Sequence, residues 1–295
     1  MALDPTEQAL LRLDAFAELE LFVEARGGFA TRDELTEFKL RGKPFPLVDR
    51  NRGIRNPAEF DATLSVVSSV DGPYDDHIGG DGILRYAFRA GDPLGGDNRK
   101  LRVAMEQRVP IILFRKPLPN VYVPIMPAYV IDEDRTSGHV LIATHDAAVR
   151  LHESSHAIID RQYVSRLIQQ RVHQPVFRAQ VMLAYERTCA ICRLKHPEML
   201  DAAHIIADRD ELGVAHVSNG LALCKIHHAA YDNDVLGIDP DYRVHVDAEI
   251  LREVDGPMLK HGIQEMDGAT LRLPRRTTDY PNRDALAARF DAFQR

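Results

Sequence analysis

Cys189-Ala190-Ile191-Cys192, then Asp201-Ala202-Ala203-His204-Ile205-Ile206, then Asn219-Gly220-Leu221-Ala222-Leu223-Cys224-Lys225-Ile226-His227-His228-Ala229-Ala230-Tyr231-Asp232: this stretch decides how the chain is read. Cys189-x2-Cys192 and Cys224-x2-His227 form a two-plus-two zinc pattern. Two donors in one tight turn reach a single ion, and a second such pair completes a tetrahedron. The three cysteines of the 295-residue chain all fall between positions 189 and 224. An odd count clustered so narrowly argues for metal ligation over a disulfide framework. The competing account is three buried thiols beside an unrelated histidine.

The residues between the two pairs say more than a zinc staple requires. His204 stands at the end of an expected strand, Asn219 leads into the second pair, and a helix is expected from His228. At these residues the chain resembles the HNH (ββα-metal) nuclease family, in the variety with an acid-Ala-Ala-His-Ile first motif and an Asn-Gly-Leu-x-Leu second motif. The resemblance runs from Cys189 to Asp232 and implies metal-dependent cutting of DNA. Phosphodiester hydrolysis needs a base for water and a cation for the charge on the phosphate and the departing 3′ oxygen. His204 is the expected general base, since a neutral imidazole near pH 7 suits that task. Asn219 is expected to hold the loop and to orient the His204 ring through an amide hydrogen bond. His228 is expected to ligate the catalytic divalent ion, Mg2+ or Mn2+. Asp201 is either a second ligand, because hard cations prefer oxygen, or a structural hydrogen-bonding residue. Adjacent His227 and His228 point about 100° apart on a helix, so one can face zinc while the other faces the phosphate. Family members with cysteine at the position of His227 imply zinc for His227 and catalysis for His228; the reverse assignment stays open here.

Composition sets the background. Hydrophobic residues make up 45% and charged residues 27%, as in soluble globular proteins. There is no apolar run of ~20 residues and no basic leader at the start, so a cytoplasmic protein with no membrane partner is expected. The net charge of −7 is the wrong sign for a non-specific DNA binder. Arg161, Arg166, Arg171, Arg178, Arg187, Arg193 and Lys195, with Glu186 as their one acid, form either a local basic face or a solvated helix face.

The front half has another character. Asp4-Pro5 predicts an N-cap and N1 proline, with a helical stripe of Leu10, Leu13, Phe16, Ala17, Leu21 and Val23 ended by Gly27-Gly28. Thr31 with Glu34 predicts a capping box. From Pro44 to about Asp146, strands are expected at 62–67, 83–88, 110–114, 122–125 and 140–143, with a helix near 98–108. Such spacing suggests a compact barrel or strongly curved sheet. Within it, Gly72-Pro73-Tyr74-Asp75-Asp76, then Gly82 to Phe88, then Gly95-Gly96-Asp97-Asn98-Arg99, resembles the SRA (SET- and RING-associated) domain. That resemblance implies a PUA-like curved barrel that flips a modified cytosine into a pocket of aromatic rings and an acid. The implied pocket residues are Tyr74, Asp76, His77, Tyr86 and Phe88. When Tyr74 and Tyr86 are aligned, the family's pocket aspartate falls on His77, with Asp76 one position early.

The expected fold is therefore α+β: an N-terminal SRA-like reader (1–153), a helical connector (154–173), and a zinc-stabilised ββα-metal nuclease with a C-terminal extension (174–295). The expected function is a modification-dependent restriction endonuclease reading 5-methylcytosine or 5-hydroxymethylcytosine in double-stranded DNA. The resemblance also implies a homodimer, since two nuclease domains break two strands. Alternatives are an HNH endonuclease indifferent to modification, or a non-catalytic zinc-containing DNA-binding regulator.

Overall fold

Asp4 starts helix α1 (Pro5–Glu24) as its sequence predicts: its Oδ1 accepts from the backbone N–H groups of Thr6 and Glu7 at 2.9 and 3.0 Å. The computed structural model describes residues 3–69, 77–78, 83–89, 92, 95–144, 174–207 and 215–294. Gly27 and Gly28, at φ +88° and +93°, stop α1 in the left-handed region. The expected buried stripe of α1 is corrected. Its buried positions are Gln8, Arg12, Ala15, Leu19 and Val23, while Leu10, Leu13 and Leu21 are exposed. The helix is apolar on more than one side, so polar anchors choose the face. Gln8 donates to Leu3 O at 2.7 Å and to Asp61 at 2.9 Å. Arg12 donates to the carbonyls of Thr63 and Pro110, both at 2.9 Å, and its guanidinium lies 4.7 Å from the Phe60 ring centroid. Burial lowers the Arg12 pKa to about 10, so it stays charged at neutral pH.

Helix α2 (Arg32–Thr36) opens with the predicted capping box of Thr31 and Glu34. A short hairpin follows, β1 (Lys39–Leu40) and β2 (Lys43–Pro44). Seven further strands form one sheet: β3 (Ile54–Arg55), β4 (Ser65–Ser69), β5 (His77–Ile78), β6 (Leu84–Ala87), β7 (Ile111–Leu118), β8 (Val121–Asp134) and β9 (His139–Thr144), in the order β3-β4-β7-β8-β9-β6-β5. Neighbours are antiparallel except β4 and β7. The expected strand runs fall within or across β4 and β6 to β9. Helix α3 (Gly96–Glu106) lies near the predicted place. Among the described residues the sheet does not close, and β3 and β5 are its edges. β8 runs through Pro124, inside the expected strand 122–125, and continues past Pro127 to Asp134. The register shifts between Ile111 and Leu113, opposite residues 125–128, where Pro127 has no N–H for the ladder.

Strand β7 is buried from Ile111 to Arg115 because both faces of the sheet are covered. Ile111 and Leu113 pack with Leu101 and Ala104 of α3. Ile112 and Phe114 pack on the other side with Leu19 of α1 and Leu35 of α2.

The chain divides into two compact units: Met1–Val23 with Gly28–Val176, and Phe177–Arg295 with Glu24–Gly27. In the second, helix α4 (174–184) precedes the hairpin β10 (Leu200–His204) and β11 (Gly220–Cys224), then α5 (Lys225–Asp232). This is a ββα arrangement, with Leu200 opposite Cys224 and His204 opposite Gly220. Strands β12 (Leu236–Ile238) and β13 (Val244–Val246), α6 (Pro257–Gly262) and α7 (Arg283–Phe293) complete the unit. Asn282 caps α7 by accepting from Ala285 N–H at 2.9 Å. The expected connector, 154–173, lies outside the described residues. No helix among the described residues is long and apolar enough to cross a membrane.

Candidate metal and nuclease centre

The first cysteine pair sits in a tight turn. Cys189 N–H donates to Leu194 O at 2.9 Å, and Arg193, at φ +66°, returns its N–H to Cys189 O at 3.1 Å. Ala190 N–H donates to Ala222 O at 2.7 Å, which fastens this turn to β11. Cys224 ends β11 and is the N-cap of α5, so the strand-to-helix corner carries the second pair. The donor atoms of Cys189, Cys192, Cys224 and His227 all lie within 4.8 Å of one another. His227 Nδ1 is 3.2 Å from Cys224 Sγ and 3.6 Å from Cys189 Sγ, and Cys192 Sγ is 3.9 Å from Cys224 Sγ. A tetrahedron with ~2.3 Å Zn–S and ~2.0 Å Zn–N bonds has edges of roughly 3.5–3.8 Å, so the residues fit the ion.

Electrostatics agrees. Burial opposes charge on His227, yet its hydrogen bonds with Cys189 and Cys224 outweigh burial and push its pKa up to about 10. Hydrogen bonds from Cys192 and Cys224 hold the Cys189 thiol far below the ordinary range, and the hydrogen bonds of Cys192 with Cys189 and Cys224 drive the Cys192 thiol up. Deprotonated by the ion, the three sulfurs concentrate negative charge in a space that favours a dication. His227 Nε2 faces Gly262 O at 2.8 Å. A carbonyl only accepts, so this nitrogen carries the proton and Nδ1 is the one turned to the ion.

His228, one residue on, is elsewhere. Its Nδ1 is 3.5 Å from Asp201 Oδ2 and its Nε2 is 3.3 Å from Asp232 Oδ2. Asp201 in turn meets Arg178 of α4: Oδ1 is 3.3 Å from Arg178 Nη1, which also donates to Leu200 O at 2.6 Å. This takes Arg178 out of the solvated-helix-face reading of the basic run, for burial lowers its pKa and backbone carbonyls hold it. Arg193 and Lys195 are exposed, and Arg161, Arg166 and Arg171 lie outside the described residues. Asp232 is a residue that sequence reading missed. The available signal was its spacing, one helical turn after His228.

His204 closes β10, and its ring stacks on Phe177 of α4 with centroids 4.1 Å apart and planes 15° from parallel. Asn219 clamps the loop beyond it: Oδ1 accepts from Ile206 N–H at 2.9 Å and Nδ2 donates to Ile206 O at 3.0 Å. Gly220 faces His204 across the hairpin, and a Cβ there would lie 2.5 Å from Val181 Cγ2 and 2.8 Å from Phe177 Cζ. The missing side chain is what admits α4 to the hairpin. Phe177 was not singled out from sequence, where it reads as one more apolar helix residue.

In the first unit, Tyr86 is buried in the sheet core and its hydroxyl donates to Gly53 O at 3.2 Å; Phe88 packs partly buried against the same cluster. His77 pairs with Arg85 through the β5–β6 ladder. Tyr74 and Asp76 lie outside the described residues.

The model of the HNH endonuclease family matches residues 189–239. A search of curated proteins finds no match. Among solved structures, the chain is similar to the modification-dependent TagI restriction endonuclease (16% identity, 90% of this chain and 91% of that one, TM-score 0.34). It is also similar to the SRA domain of SUVH5 in complex with hemi-methylated CG DNA (22% identity, 39% of this chain and 79% of that one, TM-score 0.28). A third is the type IV phosphorothioation-dependent restriction endonuclease ScoMcrA (14% identity, 62% of this chain and 51% of that one, TM-score 0.26). The segment matched by the HNH endonuclease model, 189–239, falls within the second unit and contains the four zinc-type donors, Asp201, His204, Asn219, His228 and Asp232.

Proposed function

We propose that this chain is a modification-dependent restriction endonuclease. Its first unit reads 5-methylcytosine or 5-hydroxymethylcytosine in double-stranded DNA, and its HNH domain hydrolyses a phosphodiester nearby. The observation that carries the nuclease reading is the separation of two adjacent histidines: His227 among three thiols, His228 between two carboxylates. A plain zinc module has no use for the second arrangement.

His227 with Cys189, Cys192 and Cys224 holds a structural Zn2+. Asp201 and His228 offer oxygen and imidazole donors suited to Mg2+ or Mn2+, while Asp232, at the other ring nitrogen, orients the His228 ring. That ion, when bound, supplies positive charge for the phosphate and the departing 3′ oxygen. His204 takes the proton from the attacking water, and Asn219 fixes the loop that follows it. In the reader, extrusion of the base lets the protein enclose the 5-substituent. Tyr74, Tyr86 and Phe88 are assigned to its aromatic walls, and Asp76 or His77 to the polar contact with the cytosine edge. A homodimer brings two nuclease domains to the two strands.

The test uses four otherwise identical DNAs carrying cytosine, 5-methylcytosine, 5-hydroxymethylcytosine or its glucosylated form, with Mg2+. Cleavage confined to the methylated and hydroxymethylated DNAs is expected, and His204→Ala abolishes it while DNA binding persists. Equal cleavage of all four reduces the reading to a general HNH endonuclease. No cleavage of any, by zinc-loaded protein, points to a non-catalytic DNA-binding regulator.

A further inference from the structure

We infer that Phe177 is a positioning residue for His204, with Gly220 as the vacancy that lets it work; this rests on the reading of His204 as the general base. An imidazole at a strand end has two torsions to fix before either nitrogen can meet a water. Stacking on a buried ring fixes the ring plane without occupying either nitrogen. Phe177 is 2% exposed and lies flat on the imidazole at 4.1 Å, closer than the usual range for aromatic pairs.

Three elements converge to produce this stack. His204 and Gly220 are cross-strand partners in the β10–β11 ladder. Val181, one turn after Phe177 on α4, would meet the same missing Cβ at 2.5 Å. Any side chain at 220 therefore pushes α4, and Phe177 with it, off the hairpin. The Asn219 clamp on Ile206 meanwhile holds the backbone just beyond His204. Asn219 thus holds the backbone beside His204, and Phe177 holds its ring plane. The ring also has an electronic effect. Its negative face favours the imidazolium that forms when His204 accepts a proton.

Phe177→Leu keeps an apolar side chain but removes the flat surface, whereas Phe177→Tyr keeps it. Single-turnover cleavage at saturating DNA is expected to fall about 10²-fold in the leucine variant, the scale of a mis-set reacting group. DNA affinity and zinc content should be unchanged. The tyrosine variant should recover to within about threefold, a tolerance set by the unperturbed ring geometry. The acid limb of the rate–pH profile should move to lower pH in Phe177→Leu, because the imidazolium loses its partner. Independently of activity, the His204 ring protons of the wild type should show an upfield ring-current shift by NMR, assigned by their loss in His204→Ala and abolished in Phe177→Leu. Should Phe177→Leu fail to fold, the shift in the wild type and the rate of Phe177→Tyr still decide. Equal rates and pH limbs in wild type and Phe177→Leu, or no ring-current shift, overturn the inference. If His204→Ala itself cleaves normally while the shift is present, the general-base reading fails and the stack stands as structure alone.

Discussion

Replacing His227 or His228 by alanine should produce opposite phenotypes, although the two are neighbours. His227 is 2% exposed and sits in the thiol cluster. Structural zinc is worth ~10–16 kcal/mol in small zinc modules, so an equal share for one donor of four is ~2.5–4 kcal/mol. The Gly262 carbonyl also loses its donor, adding about 1 kcal/mol. The sum, roughly 3.5–5 kcal/mol, is a large part of the ~5–15 kcal/mol that holds a domain together. His227→Ala should therefore lower the melting temperature of the second unit by roughly 10–20 °C and leave substoichiometric zinc. His228 has a 27% exposed side chain that faces the carboxylates of Asp201 and Asp232. His228→Ala should keep one zinc per chain and nearly the parental melting temperature while cleavage is lost. Zinc by mass spectrometry, differential scanning calorimetry and plasmid cleavage on both variants make the measurement. Zinc loss from His228→Ala, or full zinc in His227→Ala, would refute the assignment.

Arg12→Ala removes the donor from two buried carbonyls and should cost about 2–4 kcal/mol in urea unfolding; Arg12→Met, which keeps the stem and drops the desolvated charge, should cost less, and equal stability of wild type and Arg12→Ala would contradict the account of the α1 face. Gly237→Ala places a Cβ 2.4 Å from Phe293 Cδ1 and should destabilise by ~1–3 kcal/mol, an effect partly relieved in Gly237→Ala/Phe293→Leu; strict additivity would show that the two do not touch. Glu133 is held below the ordinary carboxylate range chiefly by its hydrogen bond from Arg102, with Arg135 adding to it. A lowered folded pKa contributes stability above the unfolded value, lost as pH falls through the folded one. The acid limb of stability below about pH 4.5 should thus be shallower in Glu133→Gln, and an unchanged limb in acid titration would count against the pairing.

How legible this was depended on how local the geometry is. Cys189-x2-Cys192 and Cys224-x2-His227 could be read because two residues of spacing in a turn leave little freedom, and the ββα order came with the family resemblance of the residues between and after them. The separation of His227 from His228 follows from helical rotation alone. Phe177 could not be read, because an apolar residue on a helix carries no mark of the ring it will cover; its partner stands on a strand far along the chain. The same holds for α1. With leucines around much of the helix, the count of apolar residues does not choose a face, and the choice lies with Arg12 and two carbonyls that only folding brings near. Arg178 misled for the same reason, since charge in sequence suggests solvent but its partners are the Leu200 carbonyl and Asp201. Asp232 stood in plain view, one turn from His228, and needed only the helical period to be found.

Cys224 is at once the last residue of β11, the N-cap of α5 and a donor in the thiol cluster, and His227 and His228 follow three and four residues later. Nothing in this run is slack. A substitution deletes one function, but a residue inserted between 224 and 227 turns the rest of the helix by about 100° and separates both histidines from their chemistries together. Evolution in this segment is thereby restricted to spelling and denied length: the identities of Lys225, Ile226 or Ala229 are free to drift, whereas insertions and deletions belong outside 224–232.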